Sequence, residues 1–304
     1  MSNYHIPVLL NESIEAMNLK PGSVAVDCTL GGGSHSKAIL ERQPDLNLFS
    51  FDQDIDAINQ CAYLKSEFGD RITIIQDNFV NLRTRLALEK IKSIDSILFD
   101  LGVSSHQIDT AVRGFSYMRE GRLDMRMNQS GELTAETIIN EYSCAELTRI
   151  FREFGEERES YHIAKAICNF RKDNHIATTA VLATIIDKST RSKLKIKART
   201  RIFQALRIFI NQELETLKTA LKDAVNILNP GGRIVVITYS SLEDRIVKKY
   251  FVYEQLSCTC HHSIPICLCN KQKRLEIHSD ITPSEGDKDN VRSRSARLRY
   301  ATRI

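Results

Sequence analysis

The stretch Val24-Ala-Val-Asp-Cys-Thr-Leu-Gly-Gly-Gly-Ser-His-Ser36 constrains the fold of this chain more than any other. An apolar run from Val24 to Val26 ends in Asp27, three glycines follow at 31 to 33, and Lys37-Ala-Ile-Leu-Glu41 then reads as a helix. Strand, glycine turn and helix form the opening unit of a doubly wound sheet that holds a nucleoside or dinucleotide at its strand ends. Glycine suits the turn because the backbone must reverse sharply and let a ligand lie against it. The spacing Gly31-x-Gly33-x-x-Ser36 lacks the third glycine of the dinucleotide fingerprint, so a tight turn without a ligand stays open as the alternative.

Later segments extend the pattern. Leu48-Phe-Ser-Phe-Asp52 is a second strand ending in an acid 19 residues after Gly33. That matches the expected distance to a carboxylate that accepts two hydrogen bonds from vicinal ribose hydroxyls. Asp54 suits the cap of a helix from Ile55 to Lys65, which leaves Asp52 as the ribose candidate. Arg71-Ile-Thr-Ile-Ile75 is a third strand, followed by Gln76-Asp-Asn-Phe79. An Asp or Asn there could meet an adenine edge while Phe79 offers a flat apolar face; an Asx turn with a core phenylalanine fits equally well. Ile94-Asp-Ser-Ile-Leu-Phe-Asp100 is a fourth strand, again closed by an acid, before Leu-Gly-Val-Ser-Ser-His-Gln107. Acids closing strands one, two and four place three carboxylates along the rim where open α/β sheets bind ligands.

From about residue 108 the alternation stops. Helical patterns cover Ala135–Glu141, Cys144–Phe154, Glu156–Arg171 and Thr179–Lys188, with no strand between 130 and 200. This predicts a sheet domain from 1 to 107, an inserted helical domain over 108–200, and a return to the sheet domain over 201–304. The return runs through a helix at Ile202–Leu228, the stop Asn229-Pro-Gly-Gly232, a fifth strand at Arg233–Tyr239 and a helix opened by Ser240 or Ser241. The segment 4–20 reads as an arm and an amphipathic helix carrying Leu9, Leu10, Ile14 and Met17.

A chain of 304 residues, 42% hydrophobic and 26% charged, is of ordinary globular composition. It has no apolar run of the roughly 20 residues that span a membrane and no export-type start, which points to a cytoplasmic protein with reduced cysteines. Net charge is only +4, yet Lys188–Arg207 holds eight Lys or Arg and no acid, and Lys288–Arg303 holds six against Asp289. Two basic runs on a nucleotide-type fold suit either solvated faces or an RNA or DNA partner. Cys258-Thr-Cys260 and Cys267-Leu-Cys269, with His261 and His262 between them, form the one cluster with metal-site chemistry. Four thiolates suit tetrahedral zinc, but C-x-C is tighter than the usual ligand spacing, and the reading taken is a thiol-rich loop with no metal. His5 and His35 read first as hydrogen-bonding residues, and His35 is the better functional candidate because it sits in the glycine turn.

Several stretches together resemble the bacterial 16S ribosomal RNA (cytosine-N4)-methyltransferase family, which uses S-adenosylmethionine. They are His5–Leu10, Asp27–Ser36, Ile97–Ser105, Arg113-Gly-Phe-Ser116, Leu123-Asp-Met-Arg-Met127, Phe154–Arg158, Phe203-Gln-Ala-Leu-Arg207, Ser241–Lys248 and Arg292–Arg299, in the family's order along nearly the whole chain. The resemblance implies a Rossmann-like class I S-adenosylmethionine-dependent methyltransferase sheet with an inserted all-helical domain. It implies cofactor contacts from Gly33, Ser34, His35, Asp52, Phe79, Asp100 and Gln107, and a methyl group delivered to the exocyclic amine of a cytidine in the decoding region. The small ribosomal subunit is then the partner, no membrane is involved, and a homodimer is left open.

Three features depart from the family pattern. Ser34 stands where glycine is usual, Ser240 replaces a histidine, and Lys197-Ala198 replaces a His-Pro pair. The usual amino-methylase signature of Asp or Ser, Pro-Pro and an aromatic residue is absent, so the base must be held in another way. Asp100 is the catalytic candidate, with the turn through Ser104 and Ser105 as its neighbourhood. The rivals are an NAD-dependent oxidoreductase on the same sheet, which the broken glycine fingerprint disfavours, and a catalytically impaired RNA-binding relative.

Overall fold

A computed structural model describes residues 7–190, 195–261, 266–283 and 293–304. His5, His262, Lys288, Asp289 and Arg292, all named above, lie outside them, as does Lys193 of the first basic run. The chain forms two compact units, Met1–Gly102 with Leu214–Ile304, and Val103–Glu213.

The first unit is built on a seven-stranded sheet of order β3-β2-β1-β4-β5-β7-β6. The strands are β1 Val24–Asp27, β2 Asn47–Asp52, β3 Ile72–Gln76, β4 Ile94–Asp100, β5 Leu228–Thr238, β6 Leu275–Ile277 and β7 Arg297–Arg303. The first five run parallel, and β7 is antiparallel to both neighbours. Successive residues of a strand point to opposite faces, and both faces are covered here. Val26, Phe49, Phe51, Ile97, Phe99 and Val236 enter one core with Leu217, Leu221 and Phe251. Ala25, Leu48, Leu98, Val235 and Ile237 enter the other with Met17, Ile39, Leu40 and Leu64. The chain crosses over between β1 and β4, and at such a switch point the strand carboxyl ends leave a crevice for ligands.

The fifth strand begins earlier than the sequence pattern indicates. Asn229-Pro-Gly-Gly232 does not stop the segment but forms an irregularity in its pairing with β4, between Ile94 and Ser96. Gly232 is required there, since a Cβ would lie 2.8 Å from the Asn229 carbonyl oxygen and 2.9 Å from that of Asp95. The basic tail is also more than a tail. In β7, Leu298 and Ala301 turn inward and are fully buried. Arg299 donates to Asp244 at 2.7 Å, and Arg297 pairs with Asp280. Two of the tail arginines, Arg297 and Arg299, are therefore bound to carboxylates of their own unit.

The second unit holds no strand among its described residues, only an isolated bridge between Arg122 and Thr178. Its helices Ala135–Glu141, Cys144–Glu153, Ser160–Phe170, Thr179–Ser189 and Lys195–Ile210 surround a core of Ile138, Leu147, Phe151, Ile163, Leu182 and Phe203. The unit ends at Glu213 and not at 200, because Ala198, Ile202, Ala205 and Leu206 belong to this core. The single helix expected over 202–228 is two, Lys195–Ile210 and Glu213–Ile227, broken where Gln212 takes a left-handed φ of 50°. Asn211 beside it spends its side chain on the Met125 carbonyl and the Met127 amide, at 2.9 and 2.8 Å. Long-range hydrogen bonds thus replace helix continuation, which local periodicity cannot reveal. The helix expected at 55–65 is likewise two, Ile55–Gln60 and Ala62–Phe68, meeting at the buried Cys61.

Candidate active site

The site lies at the carboxyl ends of β1, β2 and β4 in the first unit. Asp27, Asp52 and Asp100 close these three adjacent strands, but they do not play equal parts. Asp27 is wholly buried. One of its oxygens accepts from the Thr29 amide at 3.0 Å, and the other accepts from Ser36 Oγ at 2.7 Å. Ser36 Oγ also lies 2.8 Å from Ser50 Oγ on β2, and Thr29 Oγ1 accepts from the Asp100 amide at 2.7 Å. Asp27 therefore fixes the glycine loop against its neighbours, and burial raises its pKa. The rim offers ligands two carboxylates, those of Asp52 and Asp100.

Asp52 accepts the Gly31 amide at 2.8 Å on Oδ2 and the Asp54 amide at 2.9 Å on Oδ1. Each oxygen keeps a further lone pair for a hydroxyl. Burial pushes its pKa up to about 6, against the lowering effect of these two amides. Asp54 itself caps the helix Ile55–Gln60 by accepting from the Asp56 amide at 3.1 Å, which settles which acid is available. Just past β3, Asn78 accepts from the Val80 amide and donates to Gln53, both at 2.9 Å. It forms the Asx turn. Phe79 packs edge-on against Phe99 with ring centroids 5.6 Å apart and remains partly exposed.

The glycine loop ends at Gly33, whose φ of 79° is left-handed and whose Cβ would stand 2.9 Å from Cys61 Sγ. No side chain caps the helix Ser34–Arg42 that follows, so its first amides face outward with the positive end of the helix dipole. Ser34 is the first helical residue, a position that tolerates a side chain. His35, in the same first turn, is 5% exposed, and burial lowers its pKa against the opposing charge of Asp27. Its Nδ1 lies 3.6 Å from Asp100 Oδ2, and its buried Nε2 has no hydrogen-bond partner.

Asp100 is 24% exposed at the side chain. Tyr239, just past β5, donates its hydroxyl to Asp100 Oδ1 at 2.8 Å. Burial nevertheless lifts the Asp100 pKa to about 7; the Tyr239 hydrogen bond opposes this and the charge of Glu243 adds to it. Glu243 is 2% exposed and accepts the Tyr239 and Ser240 amides, each at 2.9 Å. Ser240 in turn caps the helix Ser241–Gln255, a role that needs a hydroxyl and no imidazole.

Gly33, Ser34, His35, Asp52, Phe79 and Asp100 all fall in the first unit. Gln107 belongs to the second, where it is buried and closes a capping box with Ser104 on the helix Ser105–Asp109. Tyr239, Thr29, Ser36 and Ser50 were missed by sequence reasoning. For Tyr239 a signal existed: it follows the strand that pairs with β4, but only acids were sought at strand ends. In the second unit, Lys197 and Ala198 line a cleft of about 470 Å³ with Glu157, Arg158, Glu159, Thr190 and Arg201.

An uncapped helix start, an open glycine loop, a strand-end carboxylate with lone pairs to spare and an orphaned buried imidazole nitrogen fit an amino-acid-bearing nucleoside. With the sheet order, they belong to a doubly wound nucleotide-binding α/β protein. The profile of the MraW methylase family matches residues 2–304, and the chain belongs to that family. This makes it a methyltransferase with S-adenosylmethionine as methyl donor. Ribosomal RNA small subunit methyltransferase H of Finegoldia magna is 42% identical over 307 residues, covering 99% of this chain and 98% of that one. Its counterpart from Clostridioides difficile is 44% identical over 311 residues and covers both chains fully. Among solved structures, an rRNA methylase from Streptococcus thermophilus covers 99% of each chain at 12% identity and a TM-score of 0.46. Among the described residues no helix is long and apolar enough to cross a membrane.

Proposed function

We propose that the chain methylates the exocyclic N4 of a cytidine in the decoding region of 16S ribosomal RNA, on the small ribosomal subunit. Full-length similarity to relatives named small-subunit ribosomal RNA methyltransferases supports the RNA substrate. The observation that carries the chemistry is Asp100, a partly exposed carboxylate poised near neutrality at the strand end.

S-adenosylmethionine, when bound, supplies an electrophilic methyl group. Asp52 holds the ribose, the first turn of Ser34–Arg42 meets the amino-acid end, and Phe79 lines the base. Gln107 is a further cofactor contact on the strength of the sequence resemblance. The exocyclic amine of cytosine is a poor nucleophile because its lone pair is delocalised into the ring. Asp100 Oδ2, with Oδ1 held by Tyr239, accepts an amine N–H, which helps the lone pair localise and orients it. The same oxygen, with a pKa near 7, takes up the proton that the nitrogen sheds and passes it to solvent. Most of the remaining rate comes from positioning.

In the second unit the basic run presents Lys195 and Lys197 as exposed side chains for phosphates. Arg199 is held by Asp187 at 2.7 Å and Arg207 by Glu213 at 2.8 Å. The test is transfer of labelled methyl to purified small subunits, followed by mapping of the modified nucleoside. One N4-methylated cytidine is expected. Label on a ring carbon, on a ribose oxygen or nowhere would overturn the proposal.

A further inference from the structure

Between the helix Ser241–Gln255 and β6 the chain makes an excursion whose base is tied down by ion pairs. Glu254, 1% exposed, accepts from Arg274 at 2.5 and 2.6 Å and from Lys271 at 3.3 Å. The Arg274 amide also donates to the Glu254 carbonyl at 2.8 Å. Beyond that clamp the described residues of the excursion form no apolar core of their own. Leu256, Ile266 and Leu268 are 42%, 73% and 74% exposed. Yet Cys258, Cys260, Cys267 and Cys269 converge, with all four sulfurs within 4.8 Å of one another. Something other than hydrophobic burial must hold these strands of loop together.

The sulfur geometry identifies it. Cys267 and Cys269 Sγ are 3.5 Å apart, and Cys269 and Cys258 Sγ are 3.7 Å apart. These separations are far too long for a disulfide, which needs about 2.05 Å. A tetrahedron of sulfurs at the zinc–thiolate distance of about 2.3 Å has edges of about 3.8 Å. Backbone amides point at the sulfurs as well: Cys260 donates to Cys258 Sγ at 3.3 Å, Leu268 to Cys260 Sγ at 3.3 Å, and Thr259 to Cys269 Sγ at 3.2 Å. Amide donors of this kind stabilise thiolate charge and orient the ligands. Both sulfurs of each Cys-x-Cys pair lie within 4.8 Å of the other pair's, so the short spacing is no obstacle.

We propose that Cys258, Cys260, Cys267 and Cys269 bind one zinc ion as a structural tetrathiolate site, replacing the metal-free loop expected from the spacing. Four protein ligands fill the tetrahedron and leave no position for substrate, so the ion acts as a cross-link and not as a catalyst. Each thiol gives its proton to solvent as it coordinates, and no oxidant or reductant is involved.

The test is native mass spectrometry and metal analysis of the full chain purified without chelator, beside Cys258→Ser/Cys269→Ser. One zinc per chain is expected in the wild type and none in the variant. Should the variant fail to fold, stripped wild type titrated with cobalt gives a second reading. The account expects the visible bands of tetrahedral cobalt–thiolate at one equivalent, displaced by zinc. Wild type that takes up neither metal overturns the proposal. So does zinc retained by a folded variant, or a wild-type mass lowered by the loss of thiol hydrogens in two disulfides.

Discussion

The Tyr239 hydroxyl donates a 2.8 Å hydrogen bond to Asp100 Oδ1, joining the end of β5 to the end of β4 at the rim of the sheet. The bond favours ionised Asp100, so Tyr239→Phe should raise the Asp100 pKa from its value of about 7. A hydrogen bond to a charged group contributes about 1.5–3 kcal/mol, or roughly one to two pH units. The acid limb of the saturated methyl-transfer rate should move up by that amount, with cofactor affinity at pH 9 little changed. An unmoved pH–rate profile would show that Asp100 does not titrate in the reaction.

Asp52 gives a complementary pH dependence. If Asp52 holds the ribose as proposed, it accepts the hydroxyls best when ionised, and its pKa is about 6. S-adenosylmethionine affinity should be flat above pH 7 and weaken below about 6. Asp52→Ala should cost roughly 1.5–3 kcal/mol of binding at pH 8. Asp52→Asn should cost less and lose the pH dependence near 6, although it leaves one loop amide facing an NH₂ group. Calorimetry across pH 5–8 decides this, and equal affinity for Asp52→Ala and wild type would remove Asp52 from the site.

The same two raised acids bear on stability. A carboxyl whose folded-state pKa lies above its unfolded value of 3.8 stabilises the fold below that value, and the contribution is lost as pH rises through the folded pKa. Without cofactor, the protein should therefore lose stability between about pH 4 and 7. Asp100→Asn should melt higher than wild type at pH 8, by on the order of 1–3 kcal/mol, as expected where function stores an unfavourable charge. Thermal melts of the cofactor-free protein at pH 5 and pH 8 supply the comparison; a lower melting temperature for Asp100→Asn at pH 8 would contradict it.

Gly33 should tolerate no side chain. Gly33→Ala forces a left-handed φ on an alanine at a cost of roughly 1–2 kcal/mol, and sets its Cβ 2.9 Å from Cys61 Sγ. Adding Cys61→Ala should recover the part due to the clash and leave the part due to φ. A double-mutant cycle on melting temperature separates the two, and strict additivity would deny the contact.

The sheet and the rim were legible in sequence because strand, glycine turn and terminal acid are local signals. Val24–Asp27 and Ile94–Asp100 are strands as the pattern indicates. What was not legible depends on which side chains meet in three dimensions, whether near or far along the chain. Asp27 looked like a third ligand-facing acid, yet Ser36 and Thr29 consume its oxygens. The break at Gln212 reflects bonds from Asn211 to Met125 and Met127. Arg-Leu-Arg-Tyr300 alternates as an edge-region strand should, but its charges drew it into a basic tail until Asp244 and Asp280 supplied their partners. The four sulfurs meet on an excursion whose two ends the Glu254–Arg274 pair holds together, a contact twenty residues apart in the chain.

For RNA, Lys195→Glu/Lys197→Glu should weaken binding and lower the salt dependence by about 0.7–0.9 per lost phosphate contact, with cofactor affinity unchanged. Arg199→Glu should instead lower the melting temperature, since Arg199 is paired with Asp187 and lies over the Tyr117 ring. Filter binding at several salt concentrations tests the lysines; equal loss of RNA and cofactor binding would mean that they support the fold.

The central claim is that Asp100 serves the acceptor amine and not the cofactor alone. Single-turnover methyl transfer to small ribosomal subunits, with cofactor and subunits both saturating and the methylated cytidine mapped, addresses it directly. Asp100→Asn should slow the reaction by on the order of 10²-fold with the modified position unchanged. A wild-type rate at saturation, with only the cofactor requirement raised, would contradict the account and confine Asp100 to cofactor binding.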